Sequence, residues 1–365
     1  MNFFTTKVSD EAIERVVQVL RSGFLNEGAV VKEFEADLVD YLGAPHVVTT
    51  NSATSALHLA LIHLGIGPGD EVIIPPQTFV ATGLVVLHAG ATPVFADIDP
   101  ETGNIDPASV RRKITARTKA VIPVHWGGEP CDMDTLNAIA TEAGIAVIED
   151  AAHAFGAVYK GRMVGTLSRL TCFSFQAIKG MTTGDGGAIA VQSEEDAILL
   201  TRRRWFGIDK TRTPVTDIGE RSVAIDILGY KYHMNNIAAA LGVGNLPDHP
   251  ARLSRRREIG ATYLHELAQV AGLRHIRRRA DSEGGFWLFP ILVERREDFG
   301  RAMKSRDVPI TVVDRRIDKH PILGGLREDL EGAARFDAEQ IHIPIHEDLS
   351  DEDVAKVVES VKSGW

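Results

Sequence analysis

Short apolar runs alternate with longer amphipathic ones along most of this chain. HVVTT (46–50), EVIIP (71–75), TPVFADID (92–99), KAVIPVH (119–125) and IAVIED (145–150) are bounded by Gly, Pro or polar residues and read as buried strands. Between them TSALHLALIHLG (54–65), TFVATGLVVLHAG (78–90) and DMDTLNAIATEAG (132–144) have helical length and spacing. Two helices precede this alternation. One is capped by Ser9-Asp10 and stopped at Gly23; the other runs through VVKEFEADLVDYLG to Gly43. TCFSF (171–175) and GAIAV (187–191) add two more strands. The expected fold is α/β, a mainly parallel sheet with helices on both faces.

The pattern changes after about residue 235. A helical stretch runs from Asn235 towards Leu267, with Pro247 and Pro250 as possible breaks. FWLFPILVE (286–294) reads as a strand, DFGRAMKSR (298–306) as a helix, and LSDEDVAKVVESVKS (349–363) as a last helix opened by a capping pattern. This predicts a large domain over 1–245, including the first helices, and a smaller α+β domain over 246–365.

Composition then narrows the function classes. With 365 residues, 44% hydrophobic and 25% charged, the chain is long enough for a sizeable core. A net charge of −10 argues against a nucleic-acid binder. The only cysteines, Cys131 and Cys172, form no disulfide framework, so a cytoplasmic setting is expected. The N-terminus shows no basic start followed by an apolar run, so no signal peptide is expected, and no run is long enough for a membrane helix. His58 and His63 lack the spacing of a metal pair, and no metal site is read.

The candidate chemistry lies at strand ends, where α/β sheets bind ligands. Lys179 stands in FSFQAIKGMTTGDGG (173–187), between an aromatic strand end and a Gly-rich turn. Most lysines are solvated surface charges, but Phe173, Phe175 and Ile178 flank this one. Asp150 ends the run GIAVIED. An amine able to form a Schiff base and a carboxylate able to hold a pyridinium proton are the minimum kit for pyridoxal phosphate chemistry. Asp150 is otherwise a helix cap, and His153, three residues on, is either a ring contact or a core histidine. Ser52, Ala53 and Thr54 open a helix and are either a phosphate cradle or an ordinary cap. Phe79, in PPQTFVAT, either covers a cofactor ring or fills the core. Ser174 and Gln176 complete the candidate cofactor set. Arg315, Arg316 and His320 are a candidate diphosphate cluster or a solvated loop. Trp126, in Trp126-Gly127-Gly128, lines a sugar site or packs in a tight turn. The triplets Arg202–Arg204, Arg255–Arg257 and Arg277–Arg279 are read as solvated.

Together these motifs resemble the DegT/DnrJ/EryC1/StrS aminotransferases. The resemblance is carried by NSATSALHLALIHLGIGPGDEVIIPPQTFVATG, PVHWGGEPCDMD, IEDAAHAFGAVYKGRMVG, FSFQAIKGMTTGDGG, GYKYHMNNIAAALG and RRREIGATY, and it is dense from about residue 10 to 265. It implies a fold-type-I pyridoxal 5′-phosphate enzyme. Lys179 would carry the cofactor, Asp150 would pair with its pyridine nitrogen and His153 would lie against the ring. Positions 53, 54 and 174 would bind the phosphate, and Phe79 would cover the ring. The implied reaction moves an amino group from an amino-acid donor, glutamate, to a nucleotide-linked keto-sugar. The implied assembly is a homodimer in which residues 229–236 reach the neighbouring site. Asn is usual in the family where Lys231 stands, which leaves His233, Asn235 and Asn236 for that contact. Glu is usual where Asp185 stands. Two alternatives remain: a sugar dehydratase of the same family, which has His in place of the lysine, and a regulator that binds a sugar nucleotide without turnover.

Overall fold

The computed structural model describes residues 1–209, 217–219, 223 and 225–365. Helices α1 (Asp10–Ser22) and α2 (Ala29–Leu42) open the chain, each ended by a left-handed glycine, Gly23 and Gly43. Then follow β1 (His46–Thr50), α3 (Ala53–His63), β2 (Glu71–Ile74), α4 (Ala81–His88), β3 (Thr92–Phe95), α5 (Pro107–Lys113), β4 (Thr118–Val121), α6 (Met133–Ala143) and β5 (Ala146–Asp150). A small hairpin, β6 (Val158–Tyr159) and β7 (Arg162–Met163), precedes β8 (Leu170–Ser174), β9 (Gly187–Val191) and α7 (Glu194–Arg203). Next come α8 (Asn236–Asn245), α9 (His249–Glu266), β10 (Leu273–His275), β11 (Ser282–Glu283) and β12 (Phe289–Val293). The chain ends with α10 (Arg296–Ser305), α11 (Glu331–Glu339), β13 (Gln340–Ile343) and α12 (Asp351–Lys362).

Seven strands form the main sheet in the order β1-β9-β8-β5-β4-β2-β3. Neighbours from β3 to β8 pair parallel, while β9 runs antiparallel to both β8 and β1. Alternate side chains therefore feed two separate cores. Val72, Ile74, Ile148, Leu170 and Cys172 pack under α3 and α4. On the opposite face Ile73, Val121 and Val147 meet α6, and Phe173 and Ala188 meet α2 and α8. Burial on both faces explains why these strands read as continuous apolar runs.

The C-terminal region has its own three-stranded sheet, β10-β12-β13, whose core joins Tyr263 of α9, Phe299 of α10 and Val357 of α12. Trp287, Ile317, Leu323 and Phe336 instead pack into the main core. The region is thus sewn onto the large sheet rather than hung from a linker. The stretch 235–267 is two helices: Pro247 falls in the break, and Pro250 sits in the first turn of α9, where its missing N–H costs nothing. Ser350 caps α12 in a reciprocal box with Asp353. The arginine triplets are not simply solvated. Arg204 is buried against Glu27 and Glu35, and Arg256 against Glu347.

Candidate active site

The carboxyl ends of the parallel strands share one edge of the sheet, and the sequence-predicted residues gather along it. Lys179 lies in the loop of the β8–β9 hairpin. The Phe175 N–H donates to the Gly186 carbonyl at 2.9 Å and the Thr183 N–H to the Phe175 carbonyl at 2.9 Å, which closes the loop base. The Gln176 side-chain oxygen accepts from Ile178 N–H at 3.0 Å, and the Gln176 carbonyl from Lys179 N–H at 2.9 Å. Gln176 therefore shapes the loop, with its side chain exposed.

Lys179 keeps part of its stem exposed, but its amine is enclosed, with Nζ 3.4 Å from the centre of the Trp287 ring. The Trp287 indole N–H donates to the Ile178 carbonyl at 2.8 Å, so the ring is tied to the lysine loop. Burial lowers the Lys179 amine to about 8, against the opposing pull of Asp314 and Asp150. A neutral fraction of roughly a fifth near physiological pH, against about a thousandth for an ordinary lysine, makes it a usable nucleophile and base.

Asp150 ends β5 and is 4% exposed. Its Oδ2 accepts from Thr82 Oγ1 at 2.8 Å, and its Oδ1 from Ala152 N–H at 3.2 Å. Since Thr82 donates to Asp150, Thr78 donates to Thr82 across 2.8 Å. Burial raises the Asp150 carboxyl, and these hydrogen bonds oppose the rise. Among the described residues no cation lies within ion-pairing distance of it. Behind it, Glu149 and His125 form a fully buried pair at 2.9 Å. His125 Nδ1 accepts from Cys131 N–H, so its proton sits on Nε2 and points at Glu149.

His153 is buried beside Trp287, with ring centres 4.0 Å apart, and its Nε2 lies 3.9 Å from Asp314 Oδ2. Burial, with Lys179 adding to it, holds this imidazole well below its ordinary proton affinity, so it is neutral.

Ser52 caps α3: its Oγ accepts from Ser55 N–H at 3.1 Å. The cap reading and the cradle reading are compatible, because the first turn still presents the N–H groups of Ala53 and Thr54 without intrahelical partners. Asn51 Oδ1 accepts from Ser55 Oγ at 2.6 Å and braces the same turn. β9 begins against it. A methyl on Gly187 would lie 2.5 Å from the Ser52 carbonyl carbon and 2.6 Å from Ala53 N, so only glycine fits here. Ser174 pairs with Gly187 across the ladder and brings its hydroxyl to the same corner.

The remaining expected residues have the following surroundings. Phe79 is 56% exposed and makes no ring contact among the described residues, so it does not fill the core. Trp126 is fully buried against His153, Phe336 and His342, which makes the packed-turn reading the correct one. Arg316 is not a free anion clamp: it is buried and bidentate to Asp318 at 2.7 and 2.6 Å. Arg315 is bidentate to Asp337 at 3.1 and 2.8 Å but half exposed, and His320 is exposed. Asn235 caps α8, and His233 contacts Asn26 Oδ1 at 2.6 Å and packs nearly perpendicular to the Trp205 ring. Sequence reading missed Thr82, Trp287 and Asp314. Thr82 ends the PPQTFVAT run in which attention fell on Phe79, Trp287 lies in a run read only as a strand, and Asp314 precedes the arginines.

The chain matches the model of the DegT/DnrJ/EryC1/StrS aminotransferase family over residues 6–362. It is 37% identical to the spore coat polysaccharide biosynthesis protein SpsC of Bacillus subtilis, covering 97% of this chain and 94% of that protein. It is 34% identical to the GDP-perosamine synthase of Caulobacter vibrioides, covering 91% and 89%. The crystal structure of the sugar aminotransferase CalS13 from Micromonospora echinospora superposes with a TM-score of 0.95 at 35% identity, covering all of both chains. The architecture is that of the fold-type-I transferases, and the family and structural neighbours are pyridoxal-phosphate-dependent sugar aminotransferases. The chain belongs to the DegT/DnrJ/EryC1/StrS family of sugar aminotransferases.

Proposed function

We propose that this enzyme moves an amino group from an amino acid, glutamate, to a nucleotide-linked keto-sugar, using pyridoxal 5′-phosphate. The observation that carries the reading is an enclosed amine, Lys179, in electrostatic contact with a buried carboxyl, Asp150, that has two hydrogen bonds and, among the described residues, no ion pair. A buried carboxylate without a close ion-pair partner is costly. A pyridinium N–H supplies that partner, and the site fits the cofactor on this ground. The N–H groups of Ala53 and Thr54, with Ser174, would hold the phosphate.

Bound there, the cofactor supplies an aldehyde that carries the nitrogen and a ring that accepts electrons. The protein's part is proton management and charge. The Lys179 amine takes the proton from the donor's Cα and later returns one to the sugar carbon that receives nitrogen. Asp150 keeps the ring nitrogen protonated, an electrostatic contribution fixed in advance by Thr82. Neutral His153 offers a flat, uncharged face and adds no positive charge to compete with the pyridinium. Similarity to a GDP-perosamine synthase supports a nucleotide-linked substrate. We also propose a homodimer that completes the site. Phe24, Phe79, Leu228 and Ile322 are large apolar side chains left 79%, 56%, 68% and 67% exposed in the single chain.

The test is reduction with borohydride in the presence of cofactor, followed by peptide mapping. The label is expected on Lys179. Transfer of ¹⁵N from glutamate is then measured across keto-sugar nucleotides. A label elsewhere, or a labelled enzyme that aminates none of them, refutes the reading.

A further inference from the structure

Asp314 reaches the active site from the C-terminal region. Its backbone is left-handed, with φ 48, in a residue other than glycine. Two amides clamp it there. Its carbonyl accepts from Gln77 Nε2 at 2.6 Å and Gln340 Nε2 at 3.3 Å, and the two amides contact each other at 3.1 Å. Both glutamines are fully buried, one in the β2–α4 connection and one in β13. Immediately after it, the Ile317 N–H donates to the Pro76 carbonyl at 2.8 Å. An unfavourable backbone conformation held by buried partners from two parts of the fold is a placed residue.

What it places is a carboxylate. The side chain is 14% exposed, with Oδ2 3.9 Å from His153 Nε2. His153 and Lys179 both contact the ring of Trp287, so the three groups form one cluster. The titratable groups facing the amine are Asp150 from the end of β5, His153 from the loop after it, and Asp314; His125 and His342 stand behind His153. Arg315 and Arg316 turn away to Asp337 and Asp318. Of the two carboxylates, Asp314 exerts the stronger pull on Lys179. Burial in turn raises its own carboxyl to about 6. Asp150 is committed to a pyridinium when cofactor is held, so Asp314 is the carboxylate left to answer the lysine's charge.

We propose that Asp314 is a positioning residue that sets the proton affinity of the Lys179 amine. The inference deepens the function proposed above and rests on it for its catalytic meaning, but its physical content concerns this chain alone. Asp314→Asn removes the charge, keeps the shape and suits the left-handed backbone, which asparagine tolerates well. The experiment titrates Lys179 in the cofactor-free protein by pulse acetylation, read by peptide mass spectrometry from pH 6 to 10. The wild-type midpoint is expected near 8. In Asp314→Asn it falls by on the order of one unit, as for loss of a nearby opposite charge, and labelling at pH 7 rises several-fold. In the loaded enzyme, the pH midpoint of the cofactor's visible band moves down with it. Asp314→Glu restores both midpoints. An unchanged midpoint in folded Asp314→Asn overturns the proposal, as does a shift that Asp314→Glu reproduces equally. Failure of borohydride to trap cofactor on the wild-type protein sinks the proposed function instead and leaves the apo-protein titration standing.

Discussion

The corner where β9 meets the start of α3 admits a quantitative test, Gly187→Ala. Gly187 has no left-handed backbone, so the change adds a methyl and no conformational strain. That methyl would lie 2.5 Å from the Ser52 carbonyl carbon, 2.6 Å from Ala53 N and 2.7 Å from the Ser52 oxygen. Carbon contacts settle at roughly 3.5–4.0 Å, so helix start and strand must part by about 1 Å. Gly187 is the last pair in both ladders, opposite Thr50 and opposite Ser174. The strain therefore opens this corner and leaves the rest of the sheet in place. Overpacking of this kind costs about 1–3 kcal/mol. If the helix start moves, the N–H groups of Ala53 and Thr54 lose their aim, and a comparable energy is lost from phosphate binding, about tenfold to a hundredfold in affinity. The assay is fluorescence titration of apo-protein with pyridoxal 5′-phosphate and with pyridoxal, which lacks the phosphate. Phosphate-dependent affinity is expected to fall by that factor while pyridoxal binding stays within about threefold, roughly 0.6 kcal/mol. Equal losses for both ligands, or no loss for either, refute the placement of the cradle.

Three further outcomes are expected. Lys179→Ala abolishes borohydride trapping and lowers transamination by at least about 10⁴-fold, the upper range for a proton-transfer group, as read by single-turnover assay. Thr82→Val leaves Asp150 with the Ala152 N–H as its hydrogen-bond donor. A hydrogen bond to a charged group is worth about 1.5–3 kcal/mol, so cofactor affinity and kcat fall roughly tenfold or more, measured by titration and steady-state rates. Asp337 is raised by burial but lowered more by Arg315 and Lys319, which hold it at about 2. A depressed carboxyl stabilises the fold above its ordinary value and loses that support as pH falls from about 4 towards 2. Both cations are partly exposed, so the effect is on the order of 1 kcal/mol. Urea midpoints at pH 5 and pH 3 should converge in Asp337→Asn relative to wild type.

The main sheet was legible because its strands are buried on both faces and its helices lie between them. β1 and β9 match their sequence runs residue for residue. Asp150 at the end of β5 and Lys179 in the loop after β8 were singled out because each stands among residues that set it apart. The rest depended on packing between distant segments. Nothing local marks Thr82 as the donor to Asp150, 68 residues away. Trp287 looks like any apolar residue of its run until it is seen against Lys179. The arginines were misread because charge alone does not say whether a carboxylate waits inside: Arg204 has Glu27 and Glu35, and Arg316 has Asp318. For Trp126 the sequence left a sugar-site role and a packed turn equally open, and its complete burial favours the packed turn.

The order of strands also governs when this site can come into being. β9 lies between β1 and β8, so the helix start after β1 and the lysine loop before β9 meet only through a strand that emerges last of the seven. Pairing His46 with Val191 closes a very long loop, and such closure is slow and comes late in folding. A ribosome-bound chain that ends before Gly187 would carry the aspartate and the lysine but no completed corner between Ser52 and Ser174. The strand that completes the sheet also completes this corner, so a chain stopped short of it lacks the phosphate end of the proposed site.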